Sequence, residues 1–253
     1  MSGLTACRER GAVGLISIAE WKPIGNEIHV WSAALEREEN IISQLESTLS
    51  LEEKARADRF HFARDRNRFV VARALLRELL GGYLHHAPEG LEFSYGQHGK
   101  PELSGAYGSS GLSFNLSHSS GLVVYAIANG RNLGIDVEHT RANSAGDGIA
   151  ERYFSASEVS DLQSLPPEAR VDGFFRCWTR KEAYLKATGM GLHIPLDSFA
   201  VSLAPGKPAE FLSGVDHRWH LAAFDPGEGY LAALAYDGAP CGITCFSVDS
   251  PLK

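Results

Sequence analysis

Four cysteines and two methionines in 253 residues leave this chain little sulfur to build with. Cys7, Cys177, Cys241 and Cys245 are too few and too scattered for the disulfide framework of a small secreted domain. The pair in CGITC has the spacing of metal ligands, but no second pair or nearby histidine cluster completes a zinc site. Long apolar runs are also missing. The N-terminal stretch is interrupted by Ser17 and followed by Glu20, which argues against both a signal peptide and a membrane span. Nor is there an excess of basic charge: a formal net charge of -7 disfavours a broad nucleic-acid footprint. A G-x-x-x-x-G-K-[ST] loop and a G-x-G-x-x-G fingerprint are both absent, so P-loop and dinucleotide-binding folds lose their main support. The expectation is a cytoplasmic chain without membrane or nucleic-acid partners.

What is present is an ordinary globular composition, 44% hydrophobic and 22% charged, with ample material for a core. NEIHVWSAAL (26–35) alternates as a strand does. Ser50 followed by Glu53 forms a capping box, and the run to Gly81-Gly82 reads as two helices broken near 61–64, with Asp65 as the second N-cap. Phe69, Leu76 and Leu80 share a helical stripe, while Arg66, Arg68, Arg73 and Arg77 read as a solvated or salt-bridged face. A strand and a turn at 99–101 follow, and then strand, loop, strand, turn, strand up to LGIDVE, with Gly130 supplying a hairpin turn. Ser155 and Glu158 make a second capping box, so Glu158 reads as a structural cap. FFRCWTRKEAYLKATG reads as a helix ending at Gly189, and FAVSL, WHLAAF and YLAALAY as further strands. Both halves thus repeat an order of strand, helices and strands, which predicts an α/β (α+β) body of two subdomains, 1–131 and 132–253.

The chemistry gathers around LGIDVE (133–138). On a strand, Asp136 and Glu138 share one face while Ile135 and Val137 share the other. Such a pair is either the wet face of a half-buried strand or part of a site for a hard divalent cation such as Mg2+. Glu182 and Lys186 stand four apart on one helical face, with Trp178 one turn earlier. Alone they would be a helix-stabilising ion pair. Their aromatic neighbours Phe174, Phe175 and Tyr184 point instead to a packed helix. If that helix crosses the polar face of 133–138, three carboxylates converge and require a counterion. Mg2+ with phosphate oxygens would supply it, and Lys186 would donate to the same phosphates. NLSHSS (115–120) offers Ser117, His118 and loop N–H groups, and the GKP turn offers Lys100 on a rigid corner. Adjacent residues of an extended chain point apart, so Ser117 and His118 do not make a nucleophile and base couple.

FNLSHS (114–119), LGIDVE and CWTRKEAYLKATGMGL (177–192), with FARDRNRF (62–69) and GKPEL (99–103), resemble the ordered motifs of the 4'-phosphopantetheinyl transferases of the surfactin-synthetase-activating (Sfp) type. The resemblance covers about residues 60–192. It implies a pseudo-twofold body with coenzyme A bound where the halves meet, and transfer of its phosphopantetheine arm to a serine of an acyl or peptidyl carrier protein. By motif position it implies Asp136, Glu138 and Glu182 as Mg2+ ligands and Glu182 and Lys186 as catalytic groups. Arg64, Lys100, Pro101, Ser117, His118, Asp136 and Lys186 would contact coenzyme A. It also implies a monomer, with the carrier meeting the stretch from about 139 to 173. The competing expectation is a catalytically silent protein that keeps the coenzyme A or carrier site.

Overall fold

The computed structural model describes residues 8–10, 26–96, 99–140 and 148–248. Most of the N-terminal stretch weighed against a signal peptide, and residues 141–147 of the expected carrier-facing stretch, lie outside the described residues. The elements run β1 (Arg8–Arg10), β2 (Glu27–Ala34), α1 (Glu39–Glu46), α2 (Leu51–Ala57), α3 (Ala63–Leu84), β3 (Phe93–Tyr95), β4 (Pro101–Leu103), β5 (Leu112–Ser119) and β6 (Leu122–Asn129). They continue with β7 (Leu133–His139), α4 (Ile149–Tyr153), α5 (Ala156–Ser164), α6 (Arg170–Thr188), β8 (Ala200–Val201), β9 (Phe211–Ser213), β10 (Trp219–Phe224), β11 (Tyr230–Asp237) and β12 (Gly242–Val248). The fold is α+β.

Two sheets carry the architecture. One is ordered β1-β12-β2-β6-β5 and the other β10-β11-β7. Within the first, β2-β6-β5 are antiparallel, as are β7-β11-β10 in the second. In each half the first strand therefore pairs with the last and the last with the one before it, so a single topology occurs twice. The long helix and the small hairpin match as well, α3 with β3-β4 in the first half and α6 with β8-β9 in the second. β12 departs from this pattern: it returns from the end of the second half and lies parallel to β2 in the first sheet.

Burial explains the strand sequences. LVVYAIAN of β6 is apolar on both faces because Val123, Tyr125 and Ile127 pack under α3 while Val124, Ala126 and Ala128 meet the second sheet. Leu133, Ile135 and Val137 of β7 join that inter-sheet core, so the layers are α3, first sheet, second sheet, α6. At about 25 cal/mol per Å2 of apolar surface, burial of this inter-sheet layer favours the packing of the two halves.

Several sequence expectations need correction. α3 is preceded by Phe62 at the N-cap position with no side-chain cap, and Asp65 sits within the first turn, where a carboxylate favours the helix dipole. The helix continues past Gly81-Gly82 to Leu84 and stops at His85, in the left-handed region with φ 51°. NLSHSS is not a loop: Ser117 and His118 lie within β5, and the turn to β6 is only Ser120-Gly121. Gly130, at φ 67°, does not close a hairpin; the chain there passes from the first sheet to the second. Of the two readings of the arginines, the salt-bridged one holds for Arg73 and Arg77, which are buried and both pair with Glu53 at 2.6 Å. Both capping boxes form, at Ser50–Glu53 and Ser155–Glu158. Cys245 is disulfide-bonded whereas Cys177 and Cys241 are free and buried, so CGITC is not a zinc-ligand pair. Among the described residues no helix is long and apolar enough to cross a membrane.

Candidate active site

The seam between the halves is where the chemistry-bearing residues meet. β5 and β7 are the facing edge strands of the two sheets, and they lie side by side without pairing. α6 crosses the polar face of β7, and Gly134 makes this approach possible. A β-carbon there would overlap the backbone of Ala183 and Ala187 and stand 2.7 Å from the carbonyl carbon of Lys186. With no side chain at that position, α6 settles directly on the strand, and residues 182 and 186 come level with 136 and 138.

The resulting contacts are short. Lys186 Nζ donates to Asp136 Oδ1 at 2.7 Å and to Ser117 Oγ at 2.8 Å, and Ser117 Oγ donates to the same Asp136 oxygen at 2.9 Å. Ser119 Oγ donates to Glu138 Oε2 at 2.7 Å. Each carboxylate of β7 is thereby held by one serine of β5, from the other half of the chain. Asp136 is 4% exposed, and its second oxygen, Oδ2, is buried without a hydrogen-bond partner.

A cavity of about 670 Å3 opens along this seam. Lys100, Pro101, Ser117, His118, Asp136, Glu138, Glu182 and Lys186 all line it, so every sequence-predicted site residue except Arg64 comes to one place. Arg64 is instead on the surface, its side chain 71% exposed and paired with Asp65 at 3.4 Å. Lys100 lines the cavity with its ammonium already engaged: Nζ donates to the carbonyls of Leu133 (3.0 Å) and Lys186 (2.9 Å). Sequence reasoning did not assign Arg56, Phe69, Arg73, Tyr95 or Asn115, which also line the cavity. The signal for two of them was present. Phe69, Arg73 and Arg77 recur at intervals of four, which places the arginines on the apolar ridge rather than the wet face.

The electrostatics follow from this crowding. Burial raises the Glu182 pKa above the usual carboxylate value, Asp136 and Glu138 raise it further, and Lys186 opposes them. Glu138 is raised chiefly by burial and by Asp136, with the Ser119 hydrogen bond and Lys186 acting against the shift. Burial also lowers the His118 pKa, assisted by the positive charges of Lys186 and Arg68, so this ring favours its neutral form. Lys100 is lowered by burial despite Glu102.

The donor set suits a hard cation: it consists of carboxylate oxygens, one of them buried and unpartnered, and the pKa values of Glu138 and Glu182 are raised by burial and by their carboxylate neighbours. Among the described residues no three such side chains are preassembled around an ion, since Lys186 occupies the near oxygen of Asp136.

Comparison with known proteins identifies the family. The family described as the 4'-phosphopantetheinyl transferase superfamily matches residues 132–235, and the N-terminal region of 4'-phosphopantetheinyl transferases matches residues 19–129. The chain is 41% identical over 215 residues to 4'-phosphopantetheinyl transferase HetI of Nostoc sp. (strain PCC 7120), covering 85% of this chain and 90% of that protein. It is 31% identical over 224 residues to 4'-phosphopantetheinyl transferase Sfp of Bacillus subtilis (strain 168), covering 86% and 95%. A solved holo-(acyl-carrier-protein) synthase from Bacillus anthracis, in complex with CoA, aligns at 22% identity and a TM-score of 0.35 over 43% of this chain and 96% of that one. This chain belongs to the 4'-phosphopantetheinyl transferase superfamily.

Proposed function

We propose that the chain moves the 4'-phosphopantetheine arm of coenzyme A onto a serine hydroxyl of an apo acyl or peptidyl carrier protein, releasing adenosine 3',5'-bisphosphate, with Mg2+ as the metal. The observation that carries this reading is the meeting of Asp136, Glu138, Glu182 and Lys186 with Ser117 and His118 along one cavity, assembled from both halves. A silent binder has less support, because the clustered carboxylates cost stability and serve no purpose without a cation and a phosphate.

In this reading Asp136, Glu138 and Glu182 would hold the ion, and the chemistry it would supply is Lewis-acid neutralisation of negative charge on the pyrophosphate. The serine oxygen bonds to the phosphorus on the pantetheine side, and the bond from that phosphorus to the bridging oxygen breaks. Glu182, on the helix that faces this cavity, takes the serine proton. Lys186 moves from Asp136 towards the departing phosphate and stabilises its charge, a role in which a flexible ammonium on a rigid helix is well placed. His118, neutral near pH 7, and Ser117 donate to phosphate oxygens from β5, while Arg56 and Arg73 bring positive charge to the nucleotide end. Pro101 stiffens the corner beneath that end. The carrier approaches along the 139–173 side, and because both halves belong to one chain the enzyme acts as a monomer.

The test is intact-mass spectrometry of a panel of apo carrier proteins incubated with the protein, coenzyme A and Mg2+. A gain of one phosphopantetheine that a chelator abolishes supports the reading; no gain on any carrier, with coenzyme A binding intact, favours the silent binder.

A further inference from the structure

β7 is the edge strand of its sheet: one edge pairs with β11, and the edge facing the first half has no strand partner among the described residues. On that edge the backbone groups of alternate residues, 133, 135, 137 and 139, point outward and need acceptors or donors. Three side chains of the first half meet three of these groups. Asn115 Oδ1 accepts from the Ile135 amide at 2.9 Å, Ser119 Oγ accepts from the His139 amide at 3.2 Å, and Lys100 Nζ donates to the Leu133 carbonyl at 3.0 Å. Side chains thus close the seam where a further strand would otherwise lie.

Lys100 does something the other two do not. Its second bond, 2.9 Å to the Lys186 carbonyl, reaches the last turn of α6, where helix carbonyls lack intrahelical partners and a cation is favoured by the helix dipole. One ammonium from just before β4 therefore ties together the start of the Asp136 strand and the end of the helix that bears Glu182 and Lys186. We propose that Lys100 is a positioning residue: it clamps β7 to α6 across the two halves, and its role is to set the spacing of the catalytic groups rather than to carry the affinity for the phosphates. The proposal rests on the reading of the cavity as the coenzyme A site only for its kinetic arm.

Two of the three N–H groups of this ammonium are spent on carbonyls of opposite elements, and moving it to follow a ligand would abandon both carbonyls in a partly buried seam. Releasing it would also free the C-terminal turn of α6, and small displacements of reacting groups are expensive: about 1 Å of misplacement can cost about a hundredfold in rate.

The experiment compares the full-length protein with Lys100→Met and Lys100→Arg. Lys100→Met is expected to hold the coenzyme A Kd within about threefold, with the salt dependence of binding unchanged, and to lower kcat about tenfold or more. Amide exchange should speed up in residues 187–191, and Lys100→Arg, which keeps donors for both carbonyls, should recover most of kcat. A Kd weakened about tenfold with a flatter salt dependence and unaltered exchange would identify a phosphate ligand and overturn the proposal, as would an unchanged kcat. Reductive methylation of the wild-type protein gives an answer that does not depend on a variant folding. Lys100 should resist modification in the absence of coenzyme A while exposed Lys207 reacts. Equal reaction of the two, or protection only when coenzyme A is added, sinks the clamp. A wild-type protein that binds no coenzyme A would remove the functional reading of the cavity and still leave Lys100 protected.

Discussion

The ammonium of Lys186 lies 2.7 Å from Asp136 Oδ1, bridging the helix and the strand that carry the candidate site. This pairing leaves the second Asp136 oxygen buried and unpartnered, and burial together with the Asp136 charge raises the pKa of Glu138 and of Glu182. Mg2+ should therefore raise the thermal midpoint of the protein, as any ligand selective for the native state does. Asp136→Ala should remove this rise and abolish transfer to a carrier. Glu182→Gln should lower kcat by about a hundredfold or more while the chain stays folded. Both are read by differential scanning calorimetry with and without Mg2+ and by carrier mass. Substantial transfer by either variant would contradict the roles given to these two carboxylates.

His118 should titrate below the free imidazole value of 6.5, because burial and the charges of Lys186 and Arg68 all disfavour its cationic form. Between its folded pKa and 6.5 the unfolded chain binds more protons than the native one, so stability rises with pH across that window. Two-dimensional NMR of the imidazole resonances measures the midpoint. Denaturant unfolding at several pH values should show the slope flattening in His118→Gln.

Gly134→Ala tests the close approach of α6 to β7. The added methyl meets backbone rather than a movable side chain, so the helix must shift outward. The expected cost is about 1–3 kcal/mol of stability, seen in urea unfolding. A larger loss in kcat than in coenzyme A affinity should accompany it, since Glu182 and Lys186 move with the helix. A variant as stable and active as the parent would mean that the spacing is set elsewhere.

Glu158 and Lys181 form a fully buried ion pair at 2.8 Å, in which Lys181 Nζ also donates to the carbonyls of Leu196 and Phe199 and Glu158 accepts from the Val201 amide. Removing either partner alone strands a charge in the core. Glu158→Ala and Lys181→Met should each cost about 3–5 kcal/mol in chemical unfolding, whereas replacing both by apolar residues should cost much less. Strict additivity of the two single variants would show that the pair is not coupled.

Much of this molecule is written in local pattern. The two capping boxes, the helix bearing Glu182 and Lys186, and the strand with Asp136 and Glu138 on one face all depend on neighbours three or four residues away, or two on a strand, and all were readable from the chain. The convergence of those carboxylates could be stated only as a condition. It became a fact once Gly134 was seen to let α6 rest on β7. Local pattern misled where burial is decided by distant elements. Arg73 and Arg77 look like surface charge until Glu53 of α2 and the ring of Phe93 close over them. Ser117 and His118 look like a loop until β5 is seen paired with β6 along its whole length. Lys100 is the sharpest case. A lysine in a turn reads as a free cation for phosphate, and only the tertiary structure places the Leu133 and Lys186 carbonyls, 33 and 86 residues away, within reach of its ammonium. The sequence alone determined which groups the protein brings to its chemistry, because side-chain type and helical or strand periodicity are local properties. Which of those groups are available, and which are spent holding the two halves together, was decided by packing between segments far apart in the chain.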